Sequence, residues 1–263
     1  MIDTATAYRH ILFEQDGPIA YVTMNRPEKR NALSVEHMQE LTACFKAIGA
    51  DRQIAAVILR GSGPAFSAGH DLAEMVGQTP EFYQREFAIC CELMETIVAL
   101  PQPVIAQVHG VATAAGCQLV ATCDLVVAAE EARFATPGVK IGLFCSTPMV
   151  ALSRAVGAKK AMEMLLTGEL ISAREAREAG LVNRVVPAAE LAGAARALAD
   201  RIAAASPLVV GLGKQAFYRQ IDMPLHEAYA YASQVMSANA ALADAQEGIG
   251  AFLEKRAPTW GGR

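Results

Sequence analysis

The sequence predicts a mixed α/β fold in which helices cover parallel strands and a helical region follows at the C-terminus. Strand-like and helix-like segments alternate between residues 55 and 129 with short connections, and from about residue 158 onward the pattern is helical almost throughout. The 263 residues, 53% of them hydrophobic, suffice to bury one large core.

The chain opens with a predicted β-hairpin. Two strand-like runs with alternating apolar residues flank Asp16 and Gly17, and glycine can adopt the positive φ of a tight turn. An amphipathic helix follows, because Ser34 is a favourable N-cap and apolar residues recur at helical spacing from Met38 to Ile48. Residues 55–61 are then predicted to form a buried strand.

A strand–helix repeat continues from this strand. The predicted elements are a helix over residues 79–100, a strand over 103–110, a helix of small residues over 114–122 and a strand over 124–129. In folds of this kind the functional groups are expected in the loops at the strand ends.

The last part of the chain is predicted to be helical. Helical patterns cover residues 188–205, 208–220, 223–241 and 243–254, and no flexible linker separates them from the rest. We predict a core over residues 1–200 and a C-terminal helical region over residues 201–263.

Composition disfavours several classes of protein. The chain has 23 basic and 27 acidic residues and a net charge of −4, so no broad basic surface is predicted for nucleic acid or for membrane lipids. Polar side chains interrupt the apolar residues 104–129, which argues against a membrane span. The first ten residues have the order of neither a signal peptide nor a transit peptide, which predicts a cytoplasmic protein.

Neither a disulfide framework nor a metal site is predicted. The six cysteines lack C-x-x-C spacing, and the five histidines are scattered without ligand spacing. The dinucleotide fingerprint, the P-loop and the nucleophile elbow are missing from their expected contexts. A bound redox cofactor and a serine hydrolase are therefore disfavoured.

Two glycine-rich segments are the candidates for a functional site. In residues 61–72, GSGPAFSAGHDL, glycines allow backbone N–H groups to converge on a bound oxygen, as an oxyanion hole requires. In residues 109–124 a strand ends among small residues and a helix begins, and the free N–H groups of its first turn favour negative charge. Gln118 falls on the helix face that looks back toward Ala115. Taken alone, the first segment is more typical of a connecting loop, and the second is equally typical of tight helix packing.

Six blocks, in order, resemble the enoyl-CoA hydratase/isomerase family, the crotonase superfamily. They are RPEKRNAL (26–33), AFSAGHDL (65–72), the segment from Gly110 to Asp124, FATPGVKIGLF (134–144), LLTGELISAREAREAGLVNRVVP (165–187) and EGIGAFLEKRAPTW (247–260). The resemblance implies a crotonase-like spiral of ββα units with a C-terminal helical region that assembles homotrimers, often paired into hexamers. It also implies an acyl-CoA substrate of fatty acid metabolism, with coenzyme A as part of the substrate and no prosthetic group.

The resemblance implies roles for particular residues as well. In that family two backbone N–H groups polarise the thioester carbonyl, and the matching residues are His70 and Ala115. Alanine is permissible at position 115 because the donor is a backbone amide, provided that φ is not strongly positive there. The expected contacts of coenzyme A are Ala68, Asp71 and Leu72 near the adenine, Lys29 and Arg30 at the phosphates, and Phe252 and Lys255 from the last helix, often across a subunit boundary.

The sequence departs from the family at the two glutamates that deliver water in its hydratases. The matching positions hold Gln118 and Gly138. An amide does not exchange a proton usefully near neutral pH, and glycine has no side chain. Since one positioned acid–base group contributes on the order of 10²–10⁴ in rate, efficient hydration is not expected. The oxyanion hole still favours reactions that pass through a thioester enolate.

The block TPGVKIGLF also resembles the 1,4-dihydroxynaphthoyl-CoA synthases of the superfamily, in which a glycine replaces one glutamate and bicarbonate can serve as the base. By that resemblance, Gly138 is expected to leave room for water or bicarbonate near Gln118 and Thr136. Cys145 matches a catalytic aspartate there, although a cysteine without a lowered pKa is more typical of packing than of nucleophilic attack.

Two hypotheses about function follow from these observations. The first is a crotonase-fold acyl-CoA enzyme, an isomerase, lyase or hydrolase, whose reaction passes through an enolate or a tetrahedral oxyanion. The second is an acyl-CoA-binding or modulating protein without turnover.

Overall fold

Two β-sheets organise the molecule, which a computed structural model describes over residues 8–262. The larger sheet contains, in spatial order, β1 (Ile11–Asp16), β2 (Ile19–Met24), β3 (Ala56–Gly61), β4 (Val104–Val108), β6 (Leu125–Ala129) and β9 (Arg184–Val186). The smaller sheet contains β5 (Val111–Thr113), β7 (Arg133–Ala135) and β8 (Ile171–Ser172). Strands β1 and β2 pair antiparallel, as do β7 and β8, and the other neighbours pair parallel.

Helices connect the strands and form the C-terminal part. In chain order they are α1 (Val35–Ala50), α2 (Leu72–Met75), α3 (Pro80–Ala99), α4 (Ala115–Thr122), α5 (Ser146–Ala155), α6 (Ala158–Thr167), α7 (Ala173–Glu178), α8 (Leu191–Ala203), α9 (Pro207–Gln220), α10 (Leu225–Ala240) and α11 (Ala243–Glu254). Short 3-10 helices occupy Pro27–Lys29, Pro137–Ile141 and Ala188–Glu190.

The local signals in the first half of the sequence are confirmed. The hairpin joins β1 to β2, and its Gly17 has a φ of +58°. Ser34 caps α1 by accepting a hydrogen bond from the His37 N–H at 3.2 Å. Thr79 caps α3 in the same way, accepting from the Phe82 N–H. The first ten residues, whose composition was used to predict the location of the protein, lie mostly outside the described part.

The prediction of an almost wholly helical chain after residue 158 is wrong, because β8 and β9 lie in this part. These strands contain two and three residues, and β5 and β7 contain three residues each. Runs this short do not complete the alternating pattern that identifies a strand in a sequence. They are defined by their partners in the sheet instead.

The larger sheet is covered on both faces, as the α/β prediction requires. Val57 and Leu59 of β3 belong to a large core cluster that includes residues of α1, α3 and α4. The alternate residues Ala56 and Ile58 belong to a second cluster that includes three residues of α8. Since successive strand residues point to opposite faces, β3 is buried from both sides.

A buried lysine attaches the C-terminal helices to the core. The Lys214 Nζ of α9 donates hydrogen bonds to the backbone oxygens of Ile97 and Gln102 at 2.9 and 3.1 Å and to Asp124 Oδ2 at 2.7 Å. Asp124 Oδ2 also accepts a hydrogen bond from the Val104 N–H at 2.7 Å. The starts of β4 and β6 and the helix α9 therefore meet at one charged pair. The boundary at residue 200 falls within the last turn of α8 and stays a prediction.

Candidate functional site

The two glycine-rich segments of the sequence lie side by side. The Ser67 N–H donates to the Val111 oxygen at 3.2 Å, and the Thr113 N–H donates back to the Ser67 oxygen at 3.0 Å, so this loop continues along β5. On its other side, the Leu33 N–H donates to the Gly69 oxygen at 2.7 Å. The loop is thus fixed between β5 and the segment before α1.

Two glycines allow this close approach. A Cβ at Gly69, whose φ is +95°, would lie 2.9 Å from the Thr113 oxygen and 3.2 Å from the Ala115 nitrogen. A Cβ at Gly116, in the first turn of α4, would lie 2.3 Å from the Ser67 oxygen. Side chains at these positions would push the two segments apart, since ordinary contacts are longer than 3 Å.

The backbone N–H groups of His70 and Ala115 at this junction have no hydrogen-bond acceptor within residues 8–262, and the same holds for Gly116 and Cys117 in the first turn of α4. The N–H groups of Ala68, Asp71 and Ala114 next to them are all bonded to backbone oxygens. Ala115 is the first residue of α4, so its N–H has no acceptor within the helix. His70 and Ala115 line the same cavity.

The condition on the backbone at position 115 is met. Positive φ falls on the preceding residue, Ala114, with φ +51° and ψ −119°. Ala115 itself is not among the residues with positive φ. The unusual backbone angles therefore occur one residue before the expected donor, at a position where glycine is the favoured residue.

The cavity has a volume of about 360 Å³ and is lined mainly by apolar groups. Leu72, Phe87, Ile141, Leu143 and Phe144 form much of its wall. Six of the residues predicted for the site border it: Ala68, His70, Leu72, Ala115, Gly138 and Cys145. Such an apolar chamber with backbone donors in its wall suits an uncharged acyl chain that carries a polar carbonyl.

The position that a side chain at residue 138 would occupy is blocked, although Gly138 itself lines the cavity. A Cβ at this position would lie 2.0 Å from the Leu143 oxygen and 2.8 Å from Cys145 Sγ. The Leu143 N–H also donates to the Gly138 oxygen at 2.9 Å, so the chain folds back on this glycine. A glutamate side chain at position 138 therefore does not fit without a shift of residues 143–145, and water or bicarbonate in the adjoining cavity stays a prediction.

Cys145 and Gln118 both contact other parts of the protein, Cys145 the Gly138 backbone and Gln118 the helix α3. Burial raises the pKa of the Cys145 thiol, and a hydrogen bond with the Gly138 backbone opposes this effect more weakly. The thiol therefore stays protonated near neutral pH. Gln118 is 4% exposed and accepts a hydrogen bond from Cys90 Sγ on α3 at 3.8 Å. It does not line the cavity, although the helical spacing predicts that it faces the ligand.

A titratable pair that sequence reasoning missed lies at the cavity wall. His70 Nδ1 is 3.1 Å from Glu86 Oε1 of α3, with side chains 9% and 0% exposed. The ring of Phe87 meets the His70 ring edge-on at a centroid distance of 5.4 Å. One signal was available, because Glu86 falls on the buried face of α3 together with Cys90, Leu93, Met94 and Ile97.

The residues expected to contact coenzyme A are placed unevenly. Lys29 and Arg30 are exposed, and the Arg30 oxygen accepts a hydrogen bond from the Ala68 N–H at 3.0 Å, which places this basic turn beside the cavity wall. The Asp71 carboxylate pairs with Arg26 at 2.9 Å and caps α2. Phe252 and Lys255 lie at the end of α11 and are not among the residues that line the cavity.

The described residues contain neither a cluster of metal ligands nor a helix that could cross a membrane. Within residues 8–262, no three His, Cys, Asp or Glu side chains are grouped as metal ligands would be. No helix in that range combines the length and apolar character that crossing a membrane demands.

Comparison with known proteins gives consistent matches along the chain. The family model described as Enoyl-CoA hydratase/isomerase matches residues 14–263. The protein of Rattus norvegicus named "Enoyl-CoA hydratase domain-containing protein 3, mitochondrial" is 48% identical over 248 residues, which cover 94% of this chain and 82% of that relative.

Solved structures match the fold as well. The crystal structure of the enoyl-CoA hydratase of Mycobacterium smegmatis has a TM-score of 0.94 and 49% identity, covering 96% of this chain and 99% of that one. The structure of human enoyl-CoA hydratase domain-containing protein 3 has a TM-score of 0.94 and 47% identity, covering 96% of this chain and all (100%) of that one.

The names of these relatives contradict the predicted cytoplasmic location. The rat, mouse and human relatives are all named as mitochondrial proteins. The prediction depends on the composition of the first ten residues. Targeting signals are independent of the folded core that the relatives share.

Proposed function

Because the chain belongs to the enoyl-CoA hydratase/isomerase family and shares its fold, we propose that it binds an acyl-CoA thioester and polarises the thioester carbonyl between the N–H groups of His70 and Ala115. The observation that supports this proposal is the pair of unbonded N–H groups, within the described residues, at the wall of one apolar cavity. Backbone donors held in place by a folded scaffold need no reorganisation when negative charge develops on the oxygen.

The donors have different local origins, which favours a fixed geometry. The His70 N–H comes from an extended loop bonded on both sides, and the Ala115 N–H comes from the start of α4. The positive end of the α4 dipole adds to the stabilisation of an oxyanion there. Each such donor contributes on the order of 10²–10³ in rate to a reaction that forms an oxyanion.

Hydration by two glutamates is not part of this proposal. Gln118 packs against α3, and the loop around Gly138 leaves no space for a longer side chain. The supported function is therefore that of an acyl-CoA enzyme of the family whose reaction begins with a polarised thioester, as in an isomerase or a lyase.

Coenzyme A is proposed to lie with its phosphates at Lys29 and Arg30 and its adenine near Ala68, Asp71 and Leu72. The exposed basic turn next to Ala68 supports this path. Because the Asp71 carboxylate is engaged by Arg26, this residue is expected to contribute through its backbone. Leu72, which is 48% exposed at the cavity, offers apolar surface to the nucleotide end.

Phe252 and Lys255 are proposed to act on the cavity of a neighbouring subunit. Phe252 is 82% exposed, and Leu253 beside it is 73% exposed. Apolar side chains left this open are typical of a surface that another chain covers. The family resemblance makes a homotrimer the expected assembly, and a pair of trimers its extension.

Isotope-edited infrared spectroscopy tests the polarised carbonyl directly. Butyryl-CoA labelled with ¹³C at the thioester carbon should bind with micromolar affinity by calorimetry, and its carbonyl stretch should move to lower wavenumber in the complex. Gly116→Ala, which separates the two donor segments, should reduce the shift, whereas Gly193→Ala on α8 has free space for its methyl group and serves as the matched control. Absence of binding, or a stretch identical to that in water, would refute the proposal.

The second candidate, an acyl-CoA-binding protein without turnover, is favoured by one observation. Neither family position for a catalytic glutamate carries an acid–base group at the cavity. This candidate predicts the same binding and the same carbonyl shift, but no conversion of any substrate in a panel of enoyl-, β-keto- and short-chain acyl-CoA thioesters. Turnover of any member of the panel excludes it.

A further inference from the structure

We propose that the imidazole of His70, positioned by the buried carboxylate of Glu86, is the proton acceptor for the α-carbon of the bound acyl-CoA. This inference rests on the proposed function, since it requires a thioester held at the two N–H donors. It adds to residue 70 a second role, because the backbone N–H would hold the oxygen while the side chain takes the proton.

The place of Glu86 in the fold follows from the packing of α3 against α4. Cys90 contacts Gln118 at 3.8 Å, and four residues further along both helices Met94 Sδ lies 3.3 Å from Thr122 Oγ1. The two helices therefore pack parallel and in register. Glu86, one turn before Cys90, lies level with the first turn of α4. The free N–H groups and positive dipole end of α4 make that level favourable for an anion.

The burial of Glu86 is costly without a function. Its side chain is fully buried (0% exposed), and in the described part of the chain neither carboxyl oxygen has a hydrogen-bond partner. Within that same part, His70 is the basic group found inside ion-pair distance of it. The 3.1 Å between His70 Nδ1 and Glu86 Oε1 is within ion-pair distance, but the two groups are not aligned for a hydrogen bond. Burial of a polar group without a hydrogen-bond partner is unfavourable, so a structural role alone does not explain this residue.

The second nitrogen of His70 is the candidate proton acceptor. Nδ1 is the atom next to Glu86, which leaves Nε2, and Nε2 is buried without a hydrogen-bond partner among residues 8–262. The side chain lines the cavity, and the edge of Phe87 restricts the rotation of its ring. With the proton of a neutral imidazole on Nδ1, the nitrogen next to the carboxylate, Nε2 carries the lone pair that can accept a proton.

The proposed step conserves atoms and electrons. Nε2 takes a proton from the α-carbon, and the C–H electron pair moves into the bond between the α-carbon and the carbonyl carbon. The carbonyl π electrons move to the oxygen, which the N–H groups of His70 and Ala115 hold as an enolate. The imidazolium then faces Glu86, whose negative charge stabilises it. Return of a proton from the ring to the α-carbon or to a conjugated carbon completes exchange or isomerisation without any further reactant.

Deuterium exchange measures this step without knowledge of the natural substrate. Butyryl-CoA incubated with the protein in D₂O should gain deuterium at its α-carbon, as followed by mass spectrometry. His70→Gln keeps the backbone N–H but has no proton acceptor, so the exchange rate should fall on the order of 10²–10⁴-fold while the calorimetric Kd stays within about threefold. Binding of butyryl-CoA by the unaltered protein without exchange would overturn the inference and leave the proposed function standing. Failure to bind would remove both.

Glu86→Gln separates a positioning role from a structural one. The exchange rate should rise with pH as the imidazole loses its proton, and loss of the carboxylate should move this rising limb to lower pH, because the imidazolium is no longer stabilised. Cys90 lies one turn after Glu86 on α3, Lys140 and Cys145 line the same cavity, and all three are unchanged in this variant. Glu95→Gln on the exposed face of α3 is the matched control and should leave the profile in place. An unmoved profile in Glu86→Gln would refute the positioning role.

A measurement on the unaltered protein covers the case in which a variant does not fold. In protein labelled with ¹⁵N at histidine, His37 should show a protonated Nδ1, because this nitrogen contacts the Ala32 oxygen at 3.2 Å. A second ring, that of His70, should show the same tautomer, and its Nε2 signal should shift when butyryl-CoA is added. The opposite tautomer at His70, or a signal that does not respond to the ligand, would overturn the inference.

Discussion

At the scale of single residues, the candidate site depends on positions where no side chain can be added. A Cβ added at Gly69, Gly116 or Gly138 would lie less than 3 Å from a backbone oxygen. The first two bring the N–H donors together, and the third closes the loop that forms the opposite wall. Substitutions at these glycines therefore test the geometry of the cavity more directly than substitutions of its apolar lining.

Gly116→Ala should destabilise the protein and weaken acyl-CoA binding. The new methyl group would lie 2.3 Å from the Ser67 oxygen, and overpacking of this kind costs about 1–3 kcal/mol. Gly193→Ala, also within a helix but with nothing within 4 Å of its Cβ, should gain up to about 1 kcal/mol from helix propensity. Urea unfolding of the two variants measures the difference, and equal stabilities would contradict the described contact.

Ala114→Gly should stabilise the protein, because residue 114 has backbone angles that favour glycine. Strain at such a position is about 1–3 kcal/mol, and the entropy that glycine adds to the unfolded chain costs about 0.5–1 kcal/mol, so a net gain of about 1 kcal/mol is expected. Ala115→Gly, one residue on and in the helical region, should instead lose about 0.5–1 kcal/mol. A loss of stability in Ala114→Gly would mean that the backbone strain is absent.

His37 should make stability depend on pH below neutrality. Burial lowers the pKa of this histidine from 6.5 to about 4, although a contact with the Ala32 oxygen opposes the shift. Between these values the unfolded chain binds the proton and the folded chain does not, so the free energy of unfolding falls as pH drops from 6.5 to 4. The shift of 6.5 − 4 = 2.5 corresponds to about 3 kcal/mol.

Urea titrations at several pH values measure this dependence. His37→Gln should flatten the stability curve between pH 4 and 6.5, since it removes the titrating group. His226→Gln, on the exposed side of α10, is the matched control and should keep the slope of the unaltered protein. A slope that survives in His37→Gln would assign the acid sensitivity to other groups.

Single residues also show what the sequence can and cannot predict about the site. The family blocks selected His70, Ala115, Gly138 and Cys145, and all four line one cavity, because the order of the blocks reflects the fold. Glu86 escaped notice because it lies 16 positions from His70, and no local pattern connects a helix face to a loop. The steric closure at Gly138 was equally invisible, since it depends on the path of residues 143–145.

At the scale of elements, the long helices and strands were predictable and the short ones were not. The buried face of a long helix such as α3 can be predicted from the spacing of its apolar residues. Strands of two or three residues exist because neighbours supply their hydrogen bonds. The smaller sheet, which carries β5 and therefore one side of the donor loop, belongs to this second kind.

Lys214→Met tests how strongly α9 depends on its buried charge. The ammonium has three oxygen partners, and its loss leaves Asp124 without its cation, at an expected cost of about 3–5 kcal/mol. Burial lowers the pKa of Lys214, while Asp124 opposes that shift. Lys46→Met, which removes an exposed pair with Glu92, should change stability by about 0–1 kcal/mol. Chemical unfolding should separate these variants clearly, and similar values would show that the α9 contact is weak.

At the scale of the whole molecule, the C-terminal helices leave much apolar surface uncovered. Exposed large side chains of α10 and α11 include Leu225, Tyr229, Met236, Ile249, Phe252 and Leu253. A surface of this kind is typical of a subunit interface, which the family resemblance also predicts.

Phe252→Glu should disrupt the proposed homotrimer. A charge in place of an aromatic ring within an apolar contact is strongly unfavourable, so light scattering should show a smaller species at micromolar concentration. Affinity for acyl-CoA should fall as well if Phe252 and Lys255 complete the site of a neighbour. Leu12→Glu, a similar exchange on the exposed side of β1, provides the control. A variant with unchanged mass would place the interface elsewhere.

One feature of the cavity bears on how such a protein can diversify. In the proposed complex the backbone N–H groups of residues 70 and 115 bind the thioester oxygen. Every residue except proline has such an N–H group. The side chain at position 70 is therefore free to vary over evolutionary time without loss of the anchor. A histidine at position 70 paired with a carboxylate on α3 can add a proton acceptor to the site. Replacement of that histidine would remove the proton transfer, while binding of the substrate persists. Relatives that share the anchor but differ at positions 70 and 86 would then be expected to differ in reaction rather than in the class of molecule they hold.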